Sequence, residues 1–121
     1  MPGWLLVAIG SALGGVARYG VSTLGVRWLG AGFPWGTLAV NIIGSGLIGW
    51  LASSLAPYPA SARLFWMTGV CGGFTTFSAF SLETFNLMRE QDHARAAAYA
   101  AASLVLCGLS VLGGAALGRG R

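Results

Sequence analysis

Apolar residues fill four long runs, at positions 4–26, 36–56, 62–88 and 94–117, and polar residues gather in the short breaks between them. A helix rises 1.5 Å per residue, so about 20 residues cross the ~30 Å hydrocarbon core of a bilayer. Each run is long enough to span, and the third has residues to spare. Membrane-spanning strands would alternate apolar and polar side chains over about ten residues, and these runs do not. The pattern predicts an all-α integral membrane protein, a single domain over residues 1–121 with four transmembrane helices.

The third run carries the strongest local signal. Its middle reads Gly72-Gly73-Phe74-Thr75-Thr76-Phe77-Ser78. Paired glycines followed by two β-branched hydroxyl residues are poor helix interior. The pattern therefore predicts a third helix broken near its middle. Irregular backbone at membrane depth is tolerated only where protein buries it or where it lines a wet cavity. A broken span offers freed carbonyls to a cation, and hydroxyls and a helix N-terminus to an anion. A plain glycine kink packed against a neighbour is the alternative.

Composition supports the membrane assignment. The chain is 55% hydrophobic and 8% charged, with mean hydropathy +0.72, where a soluble domain has about 25% charged residues. The first run has no basic residue ahead of it and is too long for a signal peptide core, so it is expected to stay in the protein. Cys71 and Cys107 fall at membrane depth and read as small packing residues. The charge of +4 comes from seven scattered arginines and no lysine, which argues against a nucleic-acid surface. With four spans, Arg63, Arg119 and Arg121 share one side and Arg27, Arg89 and Arg95 the other. Orientation follows the Lys/Arg bias of short loops, and three against three gives none. Such a chain is expected to insert both ways and to pair as an antiparallel homodimer. Two copies would then supply the symmetry that inverted repeats supply within one chain.

Polar side chains inside a span are costly and face the bundle interior or a water path. In the second run Asn41, Ser45 and Gly49 make one helical stripe, in which Asn41 either touches an ion or clamps a neighbouring helix. After the break, Phe77, Phe80 and Glu83 follow at i, i+3 and i+6. Ring edges carry the positive part of the aromatic quadrupole, so two phenylalanines can offer edges to a small anion; core packing is the plainer reading. Glu83, the only carboxylate within a span, either joins the path or snorkels to the interface. In the fourth run Tyr99, Ser103, Cys107 and Ser110 form a hydroxyl and thiol stripe. Gly10/Gly14, Gly69/Gly73 and Gly114/Gly118 are small-xxx-small pairs suited to close helix approach. Arg18 lies well inside the first run, unless that helix stops near Thr23, and serves either a vestibule or the architecture. His93 beside Asp92 reads as solvated. No zinc spacing, phosphate loop or nucleophile–base set is present, so an enzyme is not expected.

Three motifs, covering most of the chain, resemble those of the small four-helix fluoride channels, the Fluc (CrcB-type) family. They are Gly14-Gly15-Val16-Ala17-Arg18-Tyr19, Gly36-Thr37-Leu38-Ala39-Val40-Asn41 with Gly44-Ser45, and Cys71–Phe80 with Glu83. The last is the most specific. Gly46 stands where a phenylalanine is usual and Ala79 where a hydroxyl is usual. The resemblance implies a dual-topology, antiparallel homodimer in the cell membrane, with two pores that export fluoride passively. It also implies a structural sodium ion at the interface, held by the backbone carbonyls of Gly72 and Thr75 of both subunits. Phe77 and Phe80 would then line the fluoride path as a phenylalanine box, with Asn41, Ser78, Glu83, Tyr99 and Ser103 as its polar residues. A β-branched residue at Gly72 is expected to disturb the carbonyl geometry. The rival transporter of similar size, a proton-coupled exporter of the small multidrug-resistance type, carries an essential glutamate in its first helix, where this chain has Arg18. A second rival is a non-transporting assembly subunit whose polar stripes merely hold helices together.

Overall fold

A computed structural model describes residues 1–120. Helix α1 runs Gly3–Leu29 and α2 runs Trp35–Ser54. The third span is α3 over 60–74, then a gap at Thr75 and Thr76, then α4 over Phe77–Arg89. Helix α5 closes the chain at His93–Arg119. Among the described residues three unbroken helices, α1, α2 and α5, are long and apolar enough to cross a membrane, with mean hydropathies of 1.4, 1.4 and 2.0. The fourth crossing is the broken one. Much of the surface of α1 and α5 is large and apolar, including Leu13, Val16, Leu104 and Leu112, as expected of helices whose solvent is lipid.

The break is narrower than the glycine pair suggests. Gly72-Gly73-Phe74 stay helical, and only Thr75 (ψ 160°) and Thr76 (φ −153°) are extended. The helix ahead of them is unusual in another way: Leu64–Cys71 is π-helical, a wide winding rarely sustained over so many residues. Thr76 then starts α4 as an N-cap, its Oγ1 accepting from the Ala79 amide at 3.1 Å, the standard way to satisfy a free helix-start donor. In the same way Asp92 caps α5 by accepting from the Arg95 amide at 3.2 Å.

Glycine faces set the helix pairing. Helix α1 lies along α3, and α2 lies along α5. The pairs Gly10/Gly14 and Gly69/Gly73 meet each other: a Cβ on Gly10 would lie 2.9 Å from the Gly69 Cα, and one on Gly73 2.5 Å from the Ser11 carbonyl oxygen. Gly114 and Gly118 approach the α2 backbone at Gly46 and Trp50 in the same manner. Without side chains between them these backbones approach closely, which is how helices associate where water gives no driving force. Gly46 is explained at this seam. A Cβ there would lie 2.7 Å from Ser110 Oγ, and that hydroxyl donates to the Ile42 carbonyl at 2.7 Å. Ser110 therefore ties α5 to α2.

The arginines follow the expected sides of the bundle. Arg27, Arg89 and Arg95 lie at one end and Arg63 and Arg119 at the other; Arg121, which completes the three-against-three count, lies outside the described residues. Arg63 reaches back to the Tyr58 carbonyl at 2.9 Å. Because α1 continues to Leu29 without stopping near Thr23, Arg18 is deep within it.

Candidate functional site

The backbone around the gap is held by side chains from two other helices. Asn41 on α2 pairs with Thr76 as a neighbouring strand would: its Nδ2 donates to the Thr76 carbonyl at 3.1 Å and its Oδ1 accepts from the Thr76 amide at 2.9 Å. This is the clamping role, and it leaves one Nδ2 hydrogen to spare. Arg18 on α1 donates through Nε to the Gly73 carbonyl at 3.2 Å, so its guanidinium is engaged at the back of the break. The Thr75 hydroxyl turns back to the Cys71 carbonyl at 3.0 Å.

These bonds have a consequence for two carbonyls. In a continuous helix the Gly72 carbonyl would accept from the Thr76 amide and the Thr75 carbonyl from the Ala79 amide. The first donor is turned to Asn41 Oδ1 and the second to Thr76 Oγ1. Gly72 and Thr75 thus lose the donors that helical register would give them. Unmatched carbonyls are costly in a membrane interior, and oxygen ligands of this kind suit a hard cation. Among the described residues no cluster of three or more metal-ligating side chains exists.

On the open side of the break lies a cavity of about 330 Å³, which brings together Asn41, Ser45, Gly72, Thr75, Phe77, Phe80 and Ser103, with both cysteines in its wall. Phe77 and Phe80 stand 5.4 Å apart between ring centroids, tilted by 42°. Phe77 is 77% exposed on a single chain, which rules out packing inside the chain as the reason for its position. Ser103 Oγ is buried and has no hydrogen-bond partner. An unpaired buried hydroxyl costs about 1–3 kcal/mol, so a free donor on a residue that lines the same cavity as the two rings is notable.

Glu83 and Tyr99 lie further along α4 and α5. The Glu83 carboxylate accepts from Thr37 Oγ1 and from the Tyr99 hydroxyl, each at 3.1 Å, so it is held inside and does not snorkel. Tyr99 is fully buried and its ring sits 5.0 Å from that of Phe80, which links the triad to the cavity. On its other side Glu83 faces a second cavity of about 290 Å³, toward the α1–α2 connection. Ser78 is exposed beside the gap, 3.2 Å from the Thr76 hydroxyl, and lines neither cavity. Ser45 and Asn41 face the first cavity, while Gly49 of the same stripe packs against Val111 on α5. Thr37, which donates to Glu83, is the member of this hydrogen-bonded group that the polar-stripe reading leaves out. It lies one turn before Asn41 at i, i+4, so extending the stripe backwards would find it.

A bundle of helices long and apolar enough to cross a membrane, with one further span broken beside a cavity, is a multi-pass membrane protein. Its sequence matches the family described as CrcB-like protein, Camphor Resistance (CrcB), over residues 5–115, and the chain belongs to that family. Among its relatives, a protein of Hyphomonas neptunium is 52% identical over 116 residues, covering 93% of this chain and 91% of its own. One of Agrobacterium fabrum is 50% identical over 117 residues, with 94% of each chain covered. One of Opitutus terrae is 50% identical over 113 residues, covering 89% of this chain and 86% of its own. All three are named fluoride-specific ion channel FluC.

Proposed function

We propose that the chain forms a fluoride-selective channel that lets fluoride leave the cytoplasm passively across the cell membrane. The observation that carries this reading is the cavity at the break, whose lining brings Ser103, with its unpartnered hydroxyl, together with Phe77 and Phe80. Fluoride is small, hard and a strong hydrogen-bond acceptor. The Ser103 hydroxyl, the spare Asn41 N–H and the ring edges can together replace its water at short range, and a larger halide is both a weaker acceptor and a poorer fit. The Thr37–Glu83–Tyr99 triad continues the path, with two hydroxyls offsetting the one carboxylate. The names of the relatives support the same anion.

The working unit in this reading is an antiparallel homodimer with two pores. Its centre holds a sodium ion on the Gly72 and Thr75 carbonyls of both subunits. The diverted donors support the ion, and the exposure of Gly72 and Phe77 on the single chain supports the partner. When bound, the sodium supplies only charge to otherwise unmatched carbonyls. It lies between the pores and is not transported. The balanced arginines support insertion both ways. Tags at the C-terminus of individual molecules should therefore appear on both faces of the membrane, and labelling from one face alone would remove the antiparallel dimer and its sodium with it.

The exporter alternative would couple flux to protons. Fluoride efflux from liposomes holding the pure protein is expected to continue unchanged when the proton gradient is collapsed. Efflux that stops under that treatment would favour the exporter.

A further inference from the structure

The rings of the path do not end at Tyr99. Phe33, in the connection between α1 and α2, stands edge-on to Tyr99 with centroids 5.5 Å apart and planes at 82°. It also packs on Trp35 at 4.6 Å. Aromatic rings therefore follow one another from the break to the membrane edge: Phe77 to Phe80 at 5.4 Å, Phe80 to Tyr99 at 5.0 Å, and Tyr99 to Phe33. Phe33 also lines the cavity of about 290 Å³ together with Glu83 and Glu90. The connection that carries Phe33 has no helix of its own, and it is tied down from α5: Arg95 Nη1 donates to the Gly32 carbonyl at 2.8 Å.

We propose that Phe33 is a positioning residue of the conduction path, which closes its mouth over the Tyr99–Glu83 pair and holds the Tyr99 ring edge-on. The inference rests on the fluoride reading above. Tyr99 must keep its hydroxyl on Glu83 at the point where the path meets water, and the Tyr99 ring is fully shielded there although a cavity opens beside Glu83. Phe33 supplies the shield on that side. Arg95 sets where the shield sits, because its bond to Gly32 fixes the residue next to Phe33.

The test separates a held ring from simple filling of the core. Phe33→Leu keeps an apolar side chain but loses the ring edge, and Phe33→Trp keeps a ring. Fluoride efflux should fall about three- to tenfold in Phe33→Leu, the fold-change that corresponds to one edge-on ring pair, and should return close to the parent value in Phe33→Trp. Water-borne N-acetylimidazole, with acetylated tyrosines located by peptide mass spectrometry, gives a readout independent of flux. Tyr58, 57% exposed in the connection between α2 and α3, should react in every variant. Tyr99 should react only in Phe33→Leu. Parent-like efflux together with an unreactive Tyr99 in Phe33→Leu would overturn the proposal. If the parent protein carries no fluoride, the functional reading fails, and the Tyr99 labelling alone decides whether Phe33 closes the mouth.

Discussion

Fluoride flux through Phe80→Ile protein should fall by at least about tenfold, with the protein still folded and still assembled. Phe80 stands between two other rings of the path, with centroids 5.4 Å from Phe77 and 5.0 Å from Tyr99. Isoleucine keeps most of the buried apolar area, so the fold should tolerate it at a cost below about 1.5 kcal/mol. It removes the polarised ring edge, however, and an edge that stabilises the anion by about 1.4 kcal/mol accounts for one decade of rate. Phe77→Ile should act in the same direction with less effect on stability, because Phe77 packs little within its own chain. Phe→Tyr is less telling, since tyrosine keeps much of the edge. Liposome efflux compared with the melting temperature checks both variants. Unchanged flux in both would remove these rings from the fluoride path.

The two neighbouring glycines of the break should respond differently to valine. A Cβ on Gly73 would lie 2.5 Å from the Ser11 carbonyl oxygen and 2.8 Å from its Cα, both backbone atoms that cannot step aside. Gly73→Val should therefore force α1 from α3 and destabilise the bundle by about 3 kcal/mol or more, seen as loss of monodisperse protein. Gly72 differs: a Cβ there meets only the Met67 carbonyl oxygen, at 3.8 Å. Its backbone is helical, with φ −61°. The glycine pair thus does not strain equally, and within one chain Gly72→Val has room. If two copies meet at this point around sodium, Gly72→Val should leave the chain folded but abolish the dimer and fluoride flux. The parent protein should likewise need sodium during assembly. A Gly72→Val protein that still forms an active dimer would count against the central ion.

The sequence made these elements visible to different degrees, for physical reasons. The long apolar runs announce the spans because lipid demands a continuous apolar surface, and the glycine pairs announce the seams because only small residues allow backbones so close. The break was legible as well, from glycines next to β-branched hydroxyls, but its width was not. Glycine can remain helical when neighbouring turns satisfy it, so the chain departs from the helix only at Thr75 and Thr76. The π-helical winding of Leu64–Cys71 has no signature of composition. Side-chain roles were ambiguous wherever one group can serve two ends. Asn41 fits an ion or a clamp by chemistry alone, and only the pairing with Thr76 decides what its amide does. Ser110 and Ser103 occupy similar positions on one stripe, yet one finds the Ile42 carbonyl and the other finds no partner. That difference depends on what each hydroxyl meets, the close α2 backbone for Ser110 and the cavity at the break for Ser103, and the stripe alone does not distinguish the two.

The most direct test of the account compares anions in one preparation. Liposomes containing the purified protein are loaded with potassium fluoride or potassium chloride and opened to potassium movement with an ionophore, and each anion is followed with its own electrode. The account predicts rapid release of fluoride and release of chloride no faster than from protein-free liposomes. Equal release of the two halides, or retention of fluoride, would contradict it.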